Sequence, residues 1–563
     1  MLTLRARWRL AAFLFGLAFL AAGINAPFTK DQEPQNAQWI VDIVTHGHWL
    51  LPYEYYGYVE RKPPLFYWLS SLAVIATGGH VTEALARLPS LVAGAALATE
   101  VMVWATDEFD AATGALAFLF LLGMYGFASR ATLVLTDMLM TCLMLTGYRL
   151  IQPLVHGGGS VRRAIGAGAV LGLGALTKGP VALALVAVAV AIYLLLMRAN
   201  PLSLLRQSWP WIVLAIAVAT AALWYVPAFT EGRKSDLAGV FAQENFGHFL
   251  PAKMGGTGEA SRPFYYIALR LVGGTLPLCL LLPALFVAIP RLASPISRAI
   301  AYQSAMVLTV LLIFSIASAK RDDYILPAIP SLAIMLAALF SAVLRTGNSR
   351  LKLARNLRDA IAGAIAVATI LGILGLMIFM ISGCDPIPVV MKLQSADSSF
   401  AQIFVNGIAS RELSFLCPIA ITMLGAVTCL FGLWWGRDLW TGGGLAVIAL
   451  ATTLTWTGLL KPREAETRSL RSFAPAVRER VGGRPLYLPW QDPEFAYYYG
   501  SGVPPLPRAI AHNGPAAGAP VYFVARPNQL FVLAPAVRMH LVALMRADVQ
   551  GGGGPPTLYR LDP

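Results

Sequence analysis

The chain is poor in charged side chains and in cysteine. Lysine, arginine, aspartate and glutamate make up 13% of its 563 residues, and five cysteines are present. Most of these cysteines lie in or near apolar runs, without metal-ligand spacing and without a disulfide framework. The glycine-rich stretch 255–258 follows no predicted strand. These absences argue against a disulfide-stapled domain, a cysteine metal centre and a phosphate loop.

What the sequence has instead is a series of long apolar runs, and 57% of its residues are hydrophobic. The runs have the length of about 17–25 residues that a helix needs to cross a bilayer. The chain is therefore predicted to be a polytopic α-helical membrane protein. The first run, up to Ala26, is too long for a cleavable signal peptide and is interpreted as a retained span. We predict about thirteen transmembrane helices, at 8–26, 83–105, 112–129, 133–151, 164–180, 181–197, 211–228, 264–288, 300–317, 325–343, 361–381, 413–435 and 441–460.

The orientation follows from the positions of the basic residues. The formal charge is +14, and much of the excess lies in short loops, as expected for cytoplasmic loops and not for nucleic-acid binding. The basic N-terminus and the loop 344–360 are placed in the cytoplasm. The segment from Leu65 to Thr77 is short and is interpreted as an interfacial helix. With this threading, the main acid–base clusters all lie on the extracytoplasmic side.

The composition changes at Lys461, where the chain becomes polar and rich in Pro and Arg. Strand-like runs begin at Pro485, Val521 and Thr557, and a helical pattern ends at Gly482-Gly483. We predict two domains: a transmembrane catalytic domain at 1–460, with outer juxtamembrane helices within 27–82, and a small extracytoplasmic α/β domain at 461–563.

Three carboxylates are candidates for catalysis. Asp31 and Glu33 lie just before an amphipathic helix expected over 35–45, where they could act as a base or stabilise developing positive charge. Asp31 could alternatively cap that helix. Asp137 lies one turn into an apolar span, where a carboxylate is costly unless it is paired. Arg130, seven residues earlier, is its candidate structural partner.

Six side chains form a candidate phosphate site. Arginine can bind a phosphate through two hydrogen bonds, and lysine supplies a point charge. A tyrosine at a solvent-exposed helix end can donate a hydrogen bond. The alternatives are lipid-headgroup anchoring and snorkelling to the interface. The candidates are Arg61, Lys62, Lys178, Lys320, Arg321 and Tyr324.

No metal or other cofactor is expected to be required, and a divalent metal is the alternative. His46, His48 and His80 lie in the first outer loop and could join Glu60 around an ion, but they lack tight ligand spacing. Glu60 and His80 are retained as the candidate ligands. The loop 229–263 has the length typical of a lid.

Besides the acidic start of the first outer loop, with Asp31 and Glu33, the sequence contains the motifs GHWLLP, ERKPPLFYW, ARLPS, ATLVLTDMLM, GALTKGP, QENFGHF and SAKRDDYILP. These motifs, in this order, resemble the lipid-linked-sugar glycosyltransferases of the GT-C fold. The resemblance is to bacterial aminoarabinose (lipid A) transferases and protein O-mannosyltransferases, and it covers Pro27 to about Pro330. It implies a polyprenyl-phosphate sugar as donor, inversion of configuration and no nucleotide site. The family pair Asp-Glu aligns with Gln32-Glu33, with Asp31 one residue earlier, so either Asp31 or Glu33 could be the principal carboxylate.

The sequence thus predicts an integral-membrane, inverting pentosyl- or hexosyltransferase in the bacterial inner membrane. It would move a sugar from polyprenyl (undecaprenyl) phosphate to a lipid acceptor, lipid A or a related envelope glycolipid, on the periplasmic face. A protein O-glycosyltransferase is the alternative within the enzyme class. A lipid-linked-sugar transporter or flippase, or a scaffold protein, is the alternative from another class. Against transport, the charges gather at one face and no repeated halves with interrupted helices are seen.

Overall fold

The computed structural model describes residues 4–28, 32–59, 62–231, 262–292, 294–341, 343–344, 351–382, 398–515, 520–549 and 554–562. It divides into two compact units, which are described separately. The helical unit comprises residues 1–23, 61–69 and 87–460, and the mixed unit comprises residues 24–60, 70–86 and 461–563.

Helices account for most of the chain up to residue 460. The first ten are α1 (Leu4–Leu20), α2 (Gln32–His46), α3 (Leu65–Ala76), α4 (Glu83–Glu108), α5 (Ala111–Gly123), α6 (Tyr125–Ala128), α7 (Asp137–Val155), α8 (Val161–Lys178), α9 (Val181–Leu196) and α10 (Ser208–Glu231). The next eight are α11 (Tyr266–Thr275), α12 (Leu282–Ala288), α13 (Ser294–Ile316), α14 (Ile329–Ala338), α15 (Lys352–Ile381), α16 (Ser398–Ala409), α17 (Leu413–Trp434) and α18 (Asp438–Leu454).

The helices agree with a multi-pass membrane protein. Within the described residues, seven helices are long and apolar enough to cross a bilayer. An eighth is added if the pair Tyr266–Thr275 and Leu278–Arg291, bent by 106°, forms one span. Three apolar helices, α3, α5 and α9, are shorter. Each predicted apolar run coincides with a described helix or helix pair, whereas the count of thirteen spans stays a prediction.

Glycines allow α8 to approach α10 closely. A Cβ added at Gly168 would lie 2.7 Å from the Val213 carbonyl oxygen, and one added at Gly172 would lie 2.5 Å from Thr220 Cβ. Small residues at such positions let membrane helices pack backbone against backbone. This packing fixes α8, the helix that ends at Lys178.

The mixed unit contains a four-stranded sheet with strands β1 (Leu486–Tyr487), β2 (Val521–Ala525), β3 (Leu541–Arg546) and β4 (Thr557–Leu561). The strand order is β1-β2-β4-β3; β1 and β2 are parallel, and the other two pairings are antiparallel. The sequence predicted β1, β2 and β4 but not β3. The run Leu-Val-Ala-Leu-Met-Arg is rich in good helix formers, and β3 is interrupted by a bulge between Ala543 and Met545,.

Five helices accompany this sheet: α19 (Lys461–Arg468), α20 (Phe473–Val481), α21 (Pro493–Tyr499), α22 (Arg508–Asn513) and α23 (Pro535–Arg538). Helix α20 ends at Val481, as the sequence predicted, and is capped by Gly482, whose φ of 61° suits the left-handed cap,.

Helix α2 packs within the same unit. The predicted amphipathic helix over 35–45 forms as α2, and its Gln38 side chain donates a hydrogen bond to the Pro493 carbonyl oxygen at 3.0 Å. The Phe28 backbone N–H donates to the Tyr498 hydroxyl at 3.3 Å. Residues 24–60 and 70–86 therefore share one compact unit with the last hundred residues.

Candidate glycosyl-transfer site

The centre of the candidate site is an ion pair between two helix ends in the helical unit. Asp137 begins α7 and Lys178 ends α8, and Lys178 Nζ lies 2.5 Å from Asp137 Oδ1. Gly179, with φ 85°, terminates α8 directly after the lysine. The Asp137 side chain is 10% exposed and the Lys178 side chain 23%. Two opposite charges this close offset part of each other's desolvation cost in an apolar bundle.

The expected pairing of Asp137 with Arg130 is wrong. Arg130 Nε instead donates to Asp323 Oδ1 at 3.2 Å, and its Nη1 donates to Ser129 Oγ at 2.9 Å. Between α6 and α7 the chain runs through turns, so Arg130 and Asp137 do not share a helical face. The Ser90 hydroxyl lies 2.7 Å from the Leu133 carbonyl oxygen and helps to hold these turns.

An aromatic side chain lies beside the ion pair. Lys178 Nζ is 5.6 Å from the centroid of the Tyr324 ring, a cation–π distance,. That ring is stacked on Phe314, with centroids 4.5 Å apart and 25° between planes. Tyr324 follows Asp323, the partner of Arg130, so two charge pairs and one phenol lie together.

The rest of the segment Lys320–Tyr324 is tied to neighbouring backbone and side chains. Lys320 Nζ donates to the carbonyl oxygens of Ala317 at 2.6 Å and Arg262 at 3.0 Å. Asp322 accepts hydrogen bonds from Tyr266 and Arg270. Arg321 is half-buried and precedes the 3-10 helix Asp322–Ala328. This segment is therefore held rigidly next to the Asp137–Lys178 pair.

Of the other predicted catalytic and phosphate-binding residues, the structure describes Glu33 and Lys62. Glu33 is fully buried in the first turn of α2, where the helix dipole favours a carboxylate,. It belongs to the mixed unit. Lys62 is half-buried ahead of Pro63-Pro64 and α3. Asp31, Glu60 and Arg61 lie outside the described residues, as does most of the expected lid, residues 232–261.

The histidines considered as metal ligands differ in their surroundings. His80 is exposed and belongs to no group of three potential ligands within the described part of the chain. The group that does form there consists of Asp42, His46 and His48. The sequence had pointed to the two histidines but not to Asp42.

Sequence reasoning also missed two functional-site partners. Asp323 entered the sequence analysis only as part of the motif SAKRDDYILP, and Arg270 was not singled out. An arginine inside the otherwise apolar run Tyr-Ile-Ala-Leu-Arg-Leu-Val is the signal that could have drawn attention to Arg270,.

The chemistry of the site suits an anionic ligand. Lys178 has three N–H donors, one of which bonds to Asp137,. Arg130 has five N–H donors, two of which bond to Asp323 and Ser129,. A phosphate entering here would find cations already desolvated and oriented by carboxylates. The carboxylates would in turn be released to act on other groups.

Comparison with known proteins agrees with this architecture. Residues 61–225 match the family model described as dolichyl-phosphate-mannose-protein mannosyltransferase. The chain is 26% identical over 423 residues to the undecaprenyl phosphate-alpha-4-amino-4-deoxy-L-arabinose arabinosyl transferase of Erwinia tasmaniensis, covering 71% of this chain and 72% of that one. It is 26% identical over 444 residues to the enzyme of the same name from Aeromonas salmonicida, with 74% and 76% covered.

The fold matches a solved structure over nearly its whole length. ArnT from Cupriavidus metallidurans, crystallised with bound undecaprenyl phosphate, superposes with a TM-score of 0.72 at 20% identity, covering 98% of this chain and 97% of that one. This fold, together with the two relatives named above, makes the chain an integral-membrane glycosyltransferase of the GT-C fold. Its sequence resembles those of the aminoarabinose (lipid A) transferases and, over residues 61–225, those of the protein mannosyltransferases.

Proposed function

We propose that this enzyme transfers a sugar from undecaprenyl phosphate to lipid A or a related envelope glycolipid. The observation that carries the proposal is the buried Asp137–Lys178 pair beside Tyr324, which presents an oriented cation for a lipid phosphate. The names of the curated relatives and the lipid bound to the superposed structure support the same donor.

The donor phosphate is assigned to the cationic side of the site. Lys178 turns from Asp137 to the donor phosphate and stabilises it as the bond from the anomeric carbon to the phosphate oxygen breaks. Tyr324 supplies a hydroxyl donor. The remaining phosphate ligands in this proposal are Arg61, Lys62, Lys320 and Arg321.

The carboxylates are assigned to the acceptor side. Asp31 or Glu33, with Asp137, orients the acceptor oxygen, which attacks the anomeric carbon from the face opposite the departing phosphate and inverts its configuration. An acceptor hydroxyl gives its proton to the carboxylate. An acceptor phosphate of lipid A is already ionised, so there the carboxylates only orient it. Undecaprenyl phosphate leaves with the electron pair of the broken bond.

The proposed placement is the bacterial inner membrane, with the active site facing the periplasm. The transmembrane catalytic domain is assigned to residues 1–460, and a periplasmic α/β domain to residues 461–563. The basic loops support this orientation, because Lys and Arg in short loops remain in the cytoplasm. A protease added outside spheroplasts should therefore cut within 461–563, whereas protection of that segment would contradict the orientation.

A protein O-glycosyltransferase is the second candidate. The family model matched over residues 61–225 describes a protein mannosyltransferase, and this favours a protein acceptor. The two candidates share the donor site and differ in the acceptor. Total glycoproteins and total glycolipids must therefore be compared in the same experiment.

The test is mass spectrometry of lipid A, envelope glycolipids and glycoproteins from cells with and without the gene. Complementation with the wild type, with Lys178→Ala and with the control Lys352→Ala follows, since Lys352 is exposed on α15. We expect a sugar-sized mass on lipid A that requires the wild type or the control and is lost with Lys178→Ala. A mass lost from glycoproteins instead selects the second candidate. Profiles unchanged by deletion of the gene contradict both.

A further inference from the structure

The end of α2 brings two imidazoles onto one buried carboxylate. His46 lies one turn after Asp42, so their side chains share a helical face. Gly47, with φ 73°, reverses the chain and returns His48 to the same place. His46 Nδ1 lies 2.8 Å from Asp42 Oδ1, and His48 Nδ1 lies 2.9 Å from Asp42 Oδ2.

The carboxylate is held in place and the imidazoles are accessible. The Tyr53 backbone N–H donates to Asp42 Oδ2 at 2.8 Å, and the Asp42 side chain is 11% exposed. The side chains of His46 and His48 are 62% and 48% exposed. Their rings are stacked at 5.8 Å, and the Tyr53 ring meets His48 edge-on at 5.5 Å. A small ion can therefore reach both rings from solvent.

The dimensions suit a transition-metal ion. One ligand atom from each of the three residues lies within 4.8 Å of the other two. In a tetrahedral zinc site, bonds of about 2.0–2.2 Å place neighbouring ligand atoms about 3.4 Å apart. The present nitrogen–oxygen distances of 2.8 and 2.9 Å would need to widen by about half an ångström,. Exposed histidines can make that adjustment by small rotations.

We propose that Asp42, His46 and His48 bind one divalent transition-metal ion, with zinc as the best fit. Two imidazoles and one carboxylate favour zinc, copper or nickel over magnesium or calcium, which prefer oxygen ligands alone. Water completes the tetrahedron. The ion fastens the turn 47–53 onto α2 and acts as a structural clamp. Metal binding by these three side chains is independent of which donor and acceptor the enzyme uses.

The test uses the full-length protein in nanodiscs, stripped with a chelator and titrated with zinc chloride by calorimetry. The variants are His46→Gln and His48→Gln, separately and together. Both side chains are exposed, so their replacement leaves the core intact. His80→Gln is the matched control, because His80 is an exposed histidine in the same loop. A parallel cobalt titration reports tetrahedral coordination through its visible absorption.

We expect one zinc per chain that binds about 100-fold more weakly, or not at all, in the variants of His46 and His48. The control should bind as the wild type does. Zinc should also slow hydrogen exchange of peptides covering 46–53 in the wild type and not in the double variant. Equal stoichiometry and affinity in the wild type and the double variant would overturn the proposal. Equal loss in His80→Gln would also overturn it, because the ligand set would then be wrong.

Discussion

Mutations of Asp137 and Lys178 should have strongly non-additive effects on the free energy of unfolding. Replacing Asp137 by Asn leaves the Lys178 ammonium, 23% exposed, without its carboxylate. Replacing Lys178 by Met leaves a carboxylate that is 10% exposed without its cation. Loss of one partner from a buried pair costs about 3–5 kcal/mol. We use the lower end, about 3 kcal/mol for each single variant, because the lysine is partly solvated.

The double variant Asp137→Asn, Lys178→Met leaves no unpaired charge. It should cost about 0–1 kcal/mol in total, because replacing both members of a buried pair is often nearly neutral, so the coupling energy is about 5–6 kcal/mol against a simple sum of about 6. The assay is unfolding of the purified protein in mixed micelles with increasing SDS, followed by tryptophan fluorescence. A matched cycle on Arg560 and Asp562, an exposed pair, should give less than about 1 kcal/mol,.

Activity separates the structural and functional roles of this pair. The double variant should recover stability but not transfer, because the cation for the donor phosphate is absent. Additive single-variant costs would refute the pairing. Recovery of transfer in the double variant would refute the role of Lys178 at the phosphate.

Three further predictions concern the acceptor, the donor phosphate and pH. Lys62→Ala should nearly abolish transfer in a reconstituted assay, whereas the control Lys352→Ala should not. Full activity of Lys62→Ala would contradict the proposed phosphate site. The double variant Asp31→Asn, Glu33→Gln should lower kcat much more with a hydroxyl acceptor than with a phosphate acceptor; equal losses would contradict the general-base role. Burial raises the pKa of Glu494 from its ordinary value of 4.5 to about 7, so the folded mixed unit holds this proton more tightly than the unfolded chain. The protonated carboxyl contributes about 3 kcal/mol to the free energy of unfolding; this contribution is complete below pH 4.5 and is lost as the pH rises through about 7. Glu494→Gln should flatten thermal stability between pH 5 and pH 8, while the exposed control Glu479→Gln should keep the wild-type slope.

The sequence predicted the membrane fold and the main charged residues for a physical reason. Charges in apolar runs are costly, so Asp137 and Lys178 stood out against their surroundings. Their mutual pairing was not predictable, because it depends on how α7 and α8 pack. Arg130 was close to Asp137 along the chain, but the intervening turns direct it to Asp323, 193 residues away.

Other misses have the same origin in tertiary structure. Strand β3 lacks β-branched alternation and is stabilised by its pairing with β4,. The cluster of Asp42, His46 and His48 depends on the left-handed backbone conformation of Gly47. The spacing of the three residues along the sequence does not predict that conformation. The helix over 35–45 and the strands at 521–525 and 557–561 were predictable, because local periodicity and burial agree there.

The most direct test of the central claim is transfer by the purified protein in liposomes. The liposomes contain lipid A and one of a panel of undecaprenyl phosphate-linked pentoses, aminosugars and hexoses, and both lipids are followed by mass spectrometry. We predict that, for one member of the panel, free undecaprenyl phosphate and glycosylated lipid A appear in equal amounts. Intact donor that changes leaflet without being consumed, for every member of the panel, would contradict the account and indicate transport.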